Sequence, residues 1–343
     1  MEKVLVGMSG GVDSTTAVLL LQKAGYEVEG LTLCLHNQEA DMQDARHSAI
    51  QLGIRHTFLP LSDVFMEEVI RPFAAAYLDG KTPNPCVRCN ARVKIASMIR
   101  YADEHGFNYI ATGHYARIIQ KDGLTFLRRG ANENKDQTYF LSQIPRAWVK
   151  RLILPLGDFS KSEVRHKASE ASLSVAQKPD SLDICFIPNN NYTDFINETL
   201  SITPKEGRIL DQNGYTVGFH NGIHNYTIGQ RKGLGAFGKK VYVTDIDAAS
   251  NTITIGENDA LFSTGLFANT LNSFLPNFPD EIKIHVKIRS AAPCVSATCK
   301  KKENDILIYF DEPQRAVTPG QTVAIYQDDV LIGGATIVSR LIS

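Results

Sequence analysis

Two kinds of hydrophobic pattern alternate along the first half of the chain. Short apolar or alternating runs predict strands, whereas apolar residues spaced three or four positions apart predict helices. The strand-type runs lie at 4–6, 27–35, 55–59 and 109–112, and the helix-type runs at 15–23, 40–52, 63–78 and 91–105. Because the two types follow one another in turn, we expect an α/β domain with a parallel sheet covered by helices on both faces.

The pattern changes after about residue 204, where glycines recur and short β-type runs replace the helical ones. The runs 241–245 and 252–256 predict the two strands of a hairpin, and further strands are predicted at 282–288, 306–310 and 322–326. We therefore expect a small β-rich central domain and a C-terminal β-barrel-like domain. The predicted domain boundaries are 1–204, 205–262 and 263–343.

The composition is that of an ordinary soluble protein, with 343 residues, 43% hydrophobic and 21% charged. No apolar run approaches the length of a membrane span, and Glu2 with the early Gly10-Gly11 pair argues against a signal peptide. We expect a cytoplasmic protein with no membrane partner.

The net charge of −1 gives no global signature of nucleic-acid binding, but positive charges are clustered locally. Between residues 283 and 302 there are six cationic side chains and no acidic one. A second basic group lies in a glycine-rich stretch and comprises Arg231, Lys232, Lys239 and Lys240. Such clusters can meet a phosphate backbone, although basic runs are more often solvated surface.

A glycine loop, Ser-Gly-Gly-Val-Asp-Ser at 9–14, separates the first predicted strand from the first predicted helix. Glycine lets the backbone approach an anion, and the following helix N-terminus adds positive potential, so this arrangement predicts a phosphate cradle. The loop lacks the Gly-Lys-Ser/Thr ending that grips β- and γ-phosphates with a lysine. Thr112-Gly113-His114 also follows a predicted strand, and we expect both segments to face one pocket at the carboxyl edge of the sheet.

Six cysteines in a protein that we expect to be cytoplasmic point to metal binding or catalysis rather than to a disulfide framework. Cys86 and Cys89 form a CxxC motif after a proline-rich turn, and Cys185 follows much later. A four-thiolate zinc site could add Cys294 and Cys299 to the CxxC pair. Those two residues are five apart in a β-type run, however, so a regular strand would point them to opposite faces.

Eight short motifs together give the chain a family resemblance. They are GMSGGVDS at 7–14, TPNP at 82–85, Cys-Asn at 89–90, ATGHY at 111–115, NKDQ at 134–137, ICFI at 184–187, GQRKGLG at 229–235 and TPGQ at 318–321. In this order the motifs resemble those of the bacterial tRNA-specific 2-thiouridylases, and the first resembles the PP-loop of ATP pyrophosphatases. The resemblance spans nearly the whole chain.

The resemblance implies an ATP- and Mg²⁺-dependent sulfur transfer to C2 of wobble uridine 34 in tRNA. In such enzymes a cysteine at the position of Cys185 receives a persulfide from a donor protein, and ATP adenylates the uracil O2. The terminal sulfur then attacks C2, and Cys89 attacks Cys185, which leaves a disulfide; the products are 2-thiouridine, AMP and pyrophosphate. Thiolates are competent for this exchange, and the target base must leave the anticodon stack to reach them.

The resemblance also implies the binding residues. The expected ATP-binding residues are Gly7, Met8, Ser9, Gly10, Gly11, Val12, Asp13, Ser14, Leu33 and Gly113. The residues expected to contact the target base are Asn84, Pro85 and Cys86, and those expected to contact the rest of the tRNA are His114, Lys135, Asp136, Gln137, Arg289, Ser290 and Gln321.

Cys86 departs from the best characterised form of the family, which has an aspartate there. A thiol does not replace a carboxylate as an acid or base, because its ordinary pKa lies several units higher. Related thiolases bind a [4Fe–4S] cluster through three cysteines, so Cys86, Cys89 and Cys185 could hold such a cluster here. Two other functions remain open: a PP-loop ligase that adenylates a small-molecule carbonyl, and a non-catalytic tRNA-binding protein.

Overall fold

The structure is a computed structural model that describes residues 2–36, 39–179, 184–187, 189 and 191–342. The chain forms two compact units, each assembled from segments that are distant in sequence. The first unit comprises residues 1–68, 86–182 and 329–332, and the second comprises residues 69–85, 183–328 and 333–343. Within the part of the chain that is described, no helix is long and apolar enough to cross a membrane.

The regular elements of the described residues are as follows. The helices are α1 (Val12–Lys23), α2 (Glu39–Gln51), α3 (Ser62–Phe65), α4 (Arg71–Leu78), α5 (Pro85–Cys89), α6 (Ile95–His105), α7 (Arg146–Val149), α8 (Lys161–Glu170) and α9 (Tyr192–Leu200). The strands are β1 (Lys3–Gly7), β2 (Glu27–Cys34), β3 (Arg55–Pro60), β4 (Tyr109–Ala111), β5 (Ala116–Lys121), β6 (Leu124–Arg129), β7 (Leu152–Ile153), β8 (Glu206–Leu210), β9 (Thr216–Asn221), β10 (Tyr242–Asp247), β11 (Thr252–Gly256), β12 (Phe262–Ser273), β13 (Glu281–Lys287), β14 (Val295–Lys302), β15 (Asp305–Arg315), β16 (Thr322–Gln327) and β17 (Val330–Leu341).

A parallel sheet forms the centre of the first unit, in the strand order β3-β2-β1-β4-β7. Val4 and Val6 of β1 are fully buried and belong to one core with Val18 and Leu21 of α1. The strand order reverses between β2 and β4, on either side of β1, and ligands bind at the carboxyl edge of parallel sheets at such a point. The predicted α/β fold is confirmed.

Several local predictions differ from the observed elements. The helical stretch predicted at 63–78 contains a π-helical turn, Met66–Ile70, between α3 and α4. The helix predicted to start at residue 91 begins instead at Pro85, and a second π-helical turn, Asn90–Lys94, joins α5 to α6. The β5–β6 hairpin was not predicted; it pairs with Val330 and Leu331, at the start of β17, through Arg128 and Leu127 of β6.

The second unit contains a four-stranded sheet in the order β10-β11-β8-β9 and a barrel built from β12 to β17. The antiparallel pairing of β10 with β11 confirms the predicted hairpin. The barrel closes because β12 pairs with both β15 and β17, which confirms the β-barrel-like prediction. The segment 69–85 also belongs to this unit, where Phe73 and Tyr77 of α4 contact the rings of Phe186 and Tyr192.

Candidate nucleotide and cysteine site

The glycine loop connects the end of β1 at Gly7 to the start of α1 at Val12. Gly11 is the N-cap of α1 and provides no side-chain cap, so the first N–H groups of this helix are available for an anion. Gly10 has a φ of +72°, and a Cβ there would overlap the carbonyl oxygen of Asp41. Glycine is required at this position because it adopts the left-handed backbone without strain and has no Cβ to overlap the Asp41 carbonyl.

The hydroxyl of Ser14 fixes the loop from inside. It accepts a hydrogen bond from the N–H of Ser9 at 3.2 Å and donates one to the carbonyl of Gly11 at 3.1 Å. Ser14 is buried, whereas Ser9 is exposed. The loop is therefore held in place by Ser14 on its buried side, and Ser9 lies on the side that is exposed to solvent.

Asp13 supports the loop through two long-range contacts. Its carboxylate accepts hydrogen bonds at 2.7 Å from the hydroxyl of Tyr115 and from Nζ of Lys161, the first residue of α8. Both partners are more than 100 residues away in sequence. Because its oxygens are engaged in this way, Asp13 acts as a brace of the loop in this structure.

Lys178 forms a second brace. Its Nζ donates to the carbonyl of Gly10 at 3.1 Å and to carboxylate oxygens of Asp41 and Asp44 at 2.7 and 2.6 Å. Burial acts to lower the pKa of Lys178, but the hydrogen bonds and charges of the two aspartates outweigh it and raise the pKa. A peptide's C=O and following N–H point in opposite directions, so holding the Gly10 carbonyl turns the Gly11 N–H the other way.

The second strand-end segment lies directly against the loop. A Cβ at Gly113 would be 3.0 Å from the carbonyl carbon of Asp13 and from the nitrogen of Ser14, so this glycine permits the close approach. Nδ1 of His114 lies 2.8 Å from the hydroxyl of Thr112. Burial, with a smaller effect from the charge of Lys94, lowers the pKa of His114 to about 4, so the imidazole is neutral at pH 7. Leu33 is half-buried near the end of the neighbouring strand β2.

The CxxC motif lies in the helical turn α5, which begins at Pro85. Proline is favoured in the first turn of a helix because its missing N–H is not needed there. Cys86 is half-buried and Cys89 is buried, and their spacing of three residues places them on one helix face. The side chain of Asn90, which follows, donates to the carbonyl of Phe140 at 3.1 Å. Cys185 is exposed and belongs to the second unit.

The cysteines of the predicted metal sites are divided between the two units. Among the described residues, no group of three or more histidine, cysteine, aspartate or glutamate side chains lies in a position to hold a metal ion. Cys86 and Cys89 belong to the first unit and Cys185, Cys294 and Cys299 to the second, so the zinc and cluster sites stay predictions. Burial argues against Cys299 as a zinc ligand, because this thiol is fully buried in the barrel, where its pKa is raised to about 12; Cys294 precedes β14.

The residues predicted to contact tRNA lie in both units, and most have defined structural contacts. Asp136 accepts from the hydroxyl of Thr138, and Oε1 of Gln137 accepts from the N–H of Tyr115 at 2.9 Å. Lys135 is exposed. These residues fix the turn between β6 and α7, and their contact with tRNA stays a prediction.

In the second unit Arg289 donates to the carbonyls of Ile228 and Ala316 at 3.2 and 3.0 Å and to the hydroxyl of Thr318. Gln321 donates to the carbonyl of Thr82 at 2.9 Å, and Ser290 is half-buried. The basic run 283–302 is partly neutralised by acidic neighbours: the lysine–carboxylate pairs are Lys283–Asp311 at 3.0 Å and Lys300–Glu281 at 3.2 Å.

Sequence reasoning missed several residues at the carboxyl edge of the parallel sheet. Lys161, Lys178 and Tyr115 hold the phosphate loop, and Lys94 lies close enough to affect two histidines of this edge. None of these lysines lies in a motif that was used to predict a site. Their roles depend on contacts between distant parts of the chain, for which one sequence gives no signal.

The fold and the loop together define a PP-loop-type nucleotide-binding protein. The family described as tRNA methyl transferase HUP domain matches residues 2–189, the tRNA methyl transferase PRC-barrel domain matches 193–257, and the aminomethyltransferase beta-barrel domain matches 263–337. A tRNA-specific 2-thiouridylase MnmA from Carboxydothermus hydrogenoformans is 41% identical to this chain, covering 99% of the chain and 98% of the relative. A second MnmA, from Clostridium acetobutylicum, is 40% identical over 98% of this chain and 99% of its own. The chain belongs to the MnmA family of tRNA-specific 2-thiouridylases.

Similarity to solved structures is partial. An NMN synthetase from Francisella tularensis aligns with 52% of this chain and 66% of its own, with a TM-score of 0.35 and 22% identity. So low a score adds nothing to the fold described above.

Proposed function

We propose that this protein thiolates C2 of wobble uridine 34 in tRNA, using ATP and a persulfide sulfur donor. The observation that carries the proposal is the anion cradle at Ser9–Gly11, braced by Lys178, in a chain that matches MnmA enzymes from end to end. Sulfur transfer further requires reactive cysteines, and the chain supplies Cys89 and Cys185 for this role.

The cradle fits the phosphates of ATP, which supplies an adenylyl group that makes the uracil O2 a leaving group. Gly10 lets the loop pack against the Asp41 backbone and Gly113 lets its own segment pack against the backbone of Asp13 and Ser14, while the uncapped start of α1 provides N–H donors. The nearby aspartates 13, 41 and 44 are all held by lysines. Mg²⁺ would therefore be held mainly by phosphate oxygens and water, as is common for this ion.

The two cysteines have environments that suit different steps. The exposed Cys185 is accessible to a donor protein that delivers a persulfide sulfur. The terminal sulfur of that persulfide attacks C2 and AMP leaves; the Cys89 thiolate attacks Sγ of Cys185 and breaks the S–S bond, which leaves a Cys89–Cys185 disulfide. A thiol reductant then supplies two electrons to restore both thiols. The burial of Cys89 keeps competing oxidants away from it.

Incubation of the protein with ATP, Mg²⁺, tRNA and a sulfur source tests the proposal. The measurements are 2-thiouridine in the digested tRNA and AMP released. We expect Cys89→Ser to abolish 2-thiouridine and to limit tRNA-dependent AMP formation to a single turnover, because a serine hydroxyl cannot attack Sγ of Cys185 and the tRNA stays bonded to Cys185 through the S–S bond. Cys294→Ser, in the second unit, is the matched control and should thiolate normally.

The other outcomes identify the alternatives. AMP formation that needs a small-molecule carbonyl and no tRNA would indicate a ligase, and no tRNA-dependent AMP at all would indicate a tRNA-binding protein. Activity with free sulfide only after anaerobic reconstitution with iron would favour the [4Fe–4S] route through Cys86, Cys89 and Cys185. Activity with a persulfide donor and no iron would favour the persulfide route.

A further inference from the structure

The peptide that joins Met8 to Ser9, at the start of the phosphate loop, is held on both sides by hydroxyl groups. Its carbonyl oxygen accepts a hydrogen bond from the hydroxyl of Thr32, on β2, at 2.8 Å. Its N–H donates to the hydroxyl of Ser14 at 3.2 Å. Because a peptide is planar and its C=O and N–H point in opposite directions, these two contacts fix the plane of the peptide. The orientation of the Thr32 hydroxyl therefore bears on the shape of the loop.

His56 of β3 contacts the same hydroxyl, with its Nε2 2.8 Å from Oγ1 of Thr32. In the register of the two strands His56 lies opposite Gly30, two residues before Thr32. A Cβ at Gly30 would be 3.0 Å from Cδ2 of the His56 ring and 2.5 Å from Sδ of Met8. The missing side chain of Gly30 thus leaves room both for the imidazole to reach along β2 and for the side chain of Met8.

The number of protons available determines which groups donate. A carbonyl oxygen only accepts, so the single hydroxyl proton of Thr32 is directed to Met8. Nε2 of His56 must therefore carry a hydrogen and donate it to Oγ1 of Thr32. Nδ1 is then the unprotonated nitrogen of a neutral ring, and this buried atom has no hydrogen-bond partner among the described residues. Burial, with a smaller effect from the charge of Arg46, lowers the pKa of His56 and so favours the neutral form.

We propose that His56 is a positioning residue of the nucleotide site, whose Nε2–H orients the Thr32 hydroxyl so that it fixes the Met8–Ser9 peptide of the phosphate loop. The inference rests on the proposed function for its nucleotide. Thr32 makes the direct contact with the loop, and His56 acts through it. The ring is itself held edge-on against Phe58, with the two ring centroids 4.6 Å apart, so the direction of its N–H is restrained.

Calorimetric titration of the full chain with ATP and Mg²⁺ tests this role. We expect Thr32→Val to weaken ATP binding about tenfold, because the peptide loses one of its two contacts. Thr32→Ser keeps the hydroxyl and should stay within about threefold of the wild type. His56→Phe should weaken ATP binding about three- to tenfold, and His56→Gln, which keeps an N–H donor, should retain more of the affinity. Thr57→Val, which alters an exposed threonine of β3, is the matched control and should bind ATP normally.

The double variant Thr32→Val/His56→Phe separates this role from simple packing. If His56 acts through the Thr32 hydroxyl, its substitution has no further effect once that hydroxyl is gone, so the double variant should bind ATP as weakly as Thr32→Val alone. Losses of ATP affinity that add in the double variant would show two independent effects and would overturn the proposal.

NMR of the imidazole nitrogens provides a readout that does not depend on nucleotide. In the wild type at pH 7.5 the hydrogen should be on Nε2 of His56, and a hydrogen on Nδ1 alone would overturn the proposal. ATP affinity within about twofold of the wild type in Thr32→Val would also overturn it. A wild-type chain that binds ATP but never thiolates tRNA would overturn the proposed function and leave this result standing.

Discussion

At the scale of single residues, Gly10 and Gly25 offer a matched test of the phosphate loop. Both have left-handed backbones, with φ of +72° and +85°, but only at Gly10 would a Cβ overlap another residue, through the carbonyl of Asp41. Gly25→Ala should cost about 1–2 kcal/mol of unfolding free energy and leave ATP binding intact. Gly10→Ala should cost more and weaken ATP binding at least about tenfold, since the loop must move. Urea unfolding measures the stability of each variant, and ATP titration measures its affinity for ATP. Equal losses of ATP affinity in the two variants would contradict a specific effect of the overlap with the Asp41 carbonyl.

His114 makes stability depend on pH. Its pKa is lowered from 6.5 to about 4, chiefly by burial, so between those values the unfolded chain binds a proton that the native chain does not. The stabilisation is present above pH 6.5 and is lost as the pH falls toward 4. Thr112 and Lys94 both act on its ring, and neither offers a negative charge that would favour protonation.

His114→Gln should therefore lose less stability than the wild type between pH 7.5 and 4.5. The expected difference is of the order of 1–2 kcal/mol, measured by urea unfolding at both pH values. The pKa of His36 and His56 is also lowered by burial, so both chains lose some stability at low pH. Identical losses in the two chains would show that His114 does not titrate in this way.

At the scale of elements, Lys178 connects the loop after β1 to α2 through Gly10 and the two aspartates. Lys178→Met should raise the Kd for ATP about tenfold, because the Gly10–Gly11 peptide loses the contact that orients it. Lys3→Met, which removes an exposed 3.4 Å ion pair with Glu27, should leave ATP binding unchanged. Isothermal titration checks both variants, and normal ATP affinity in Lys178→Met would show that the loop keeps its shape without this contact.

The same elements show what a single sequence can and cannot predict. Local patterns correctly predicted the parallel sheet and the hairpin of β10 and β11, because periodicity and turn residues are encoded over a few positions. The glycine loop was recognisable for the same reason. The lysines that brace this loop were not recognisable. Lys161 contacts Asp13 across 148 positions and Lys178 contacts Asp41 across 137 positions, and many lysines in the chain have a similar local context.

The start of α5 illustrates a different limit. A proline-rich turn is predicted before the CxxC motif, yet Pro85 opens a helix, because proline is tolerated in the first helical turn. The CxxC motif consequently lies within the helical turn that Pro85 begins. A proline in the sequence does not by itself show whether a helix ends or begins there. Here the helix start at Pro85 places Cys86 and Cys89 on one helix face.

At the scale of the whole molecule, both units depend on segments that lie far apart in sequence. In the first unit, residues 329–332 supply the partner strand for β6, and Arg128 pairs with Asp329 at 2.5 Å. In the second, the N–H of Thr82 donates to the carbonyl of Pro319 at 2.9 Å. Hydrophobic periodicity does not indicate that distant segments of the chain join the same unit, so the domain boundaries 1–204, 205–262 and 263–343 remain a prediction.

A fragment containing residues 1–204 tests the first of these boundaries. It lacks residues 329–332, so Arg128 and Leu127 of β6 lose their strand partners, and it also lacks Pro319 and Gln321, to which Thr82 is hydrogen bonded. We expect the fragment to unfold at a lower urea concentration than the full chain and to bind ATP poorly. Co-expression with residues 205–343 should restore ATP binding, because the missing strand is then supplied by the second fragment. Residues 1–204 would instead be an autonomous domain if they alone unfold cooperatively at the urea midpoint of the full chain and bind ATP equally well. In that case the pairing of β6 with residues 330 and 331 contributes little to the stability of the domain.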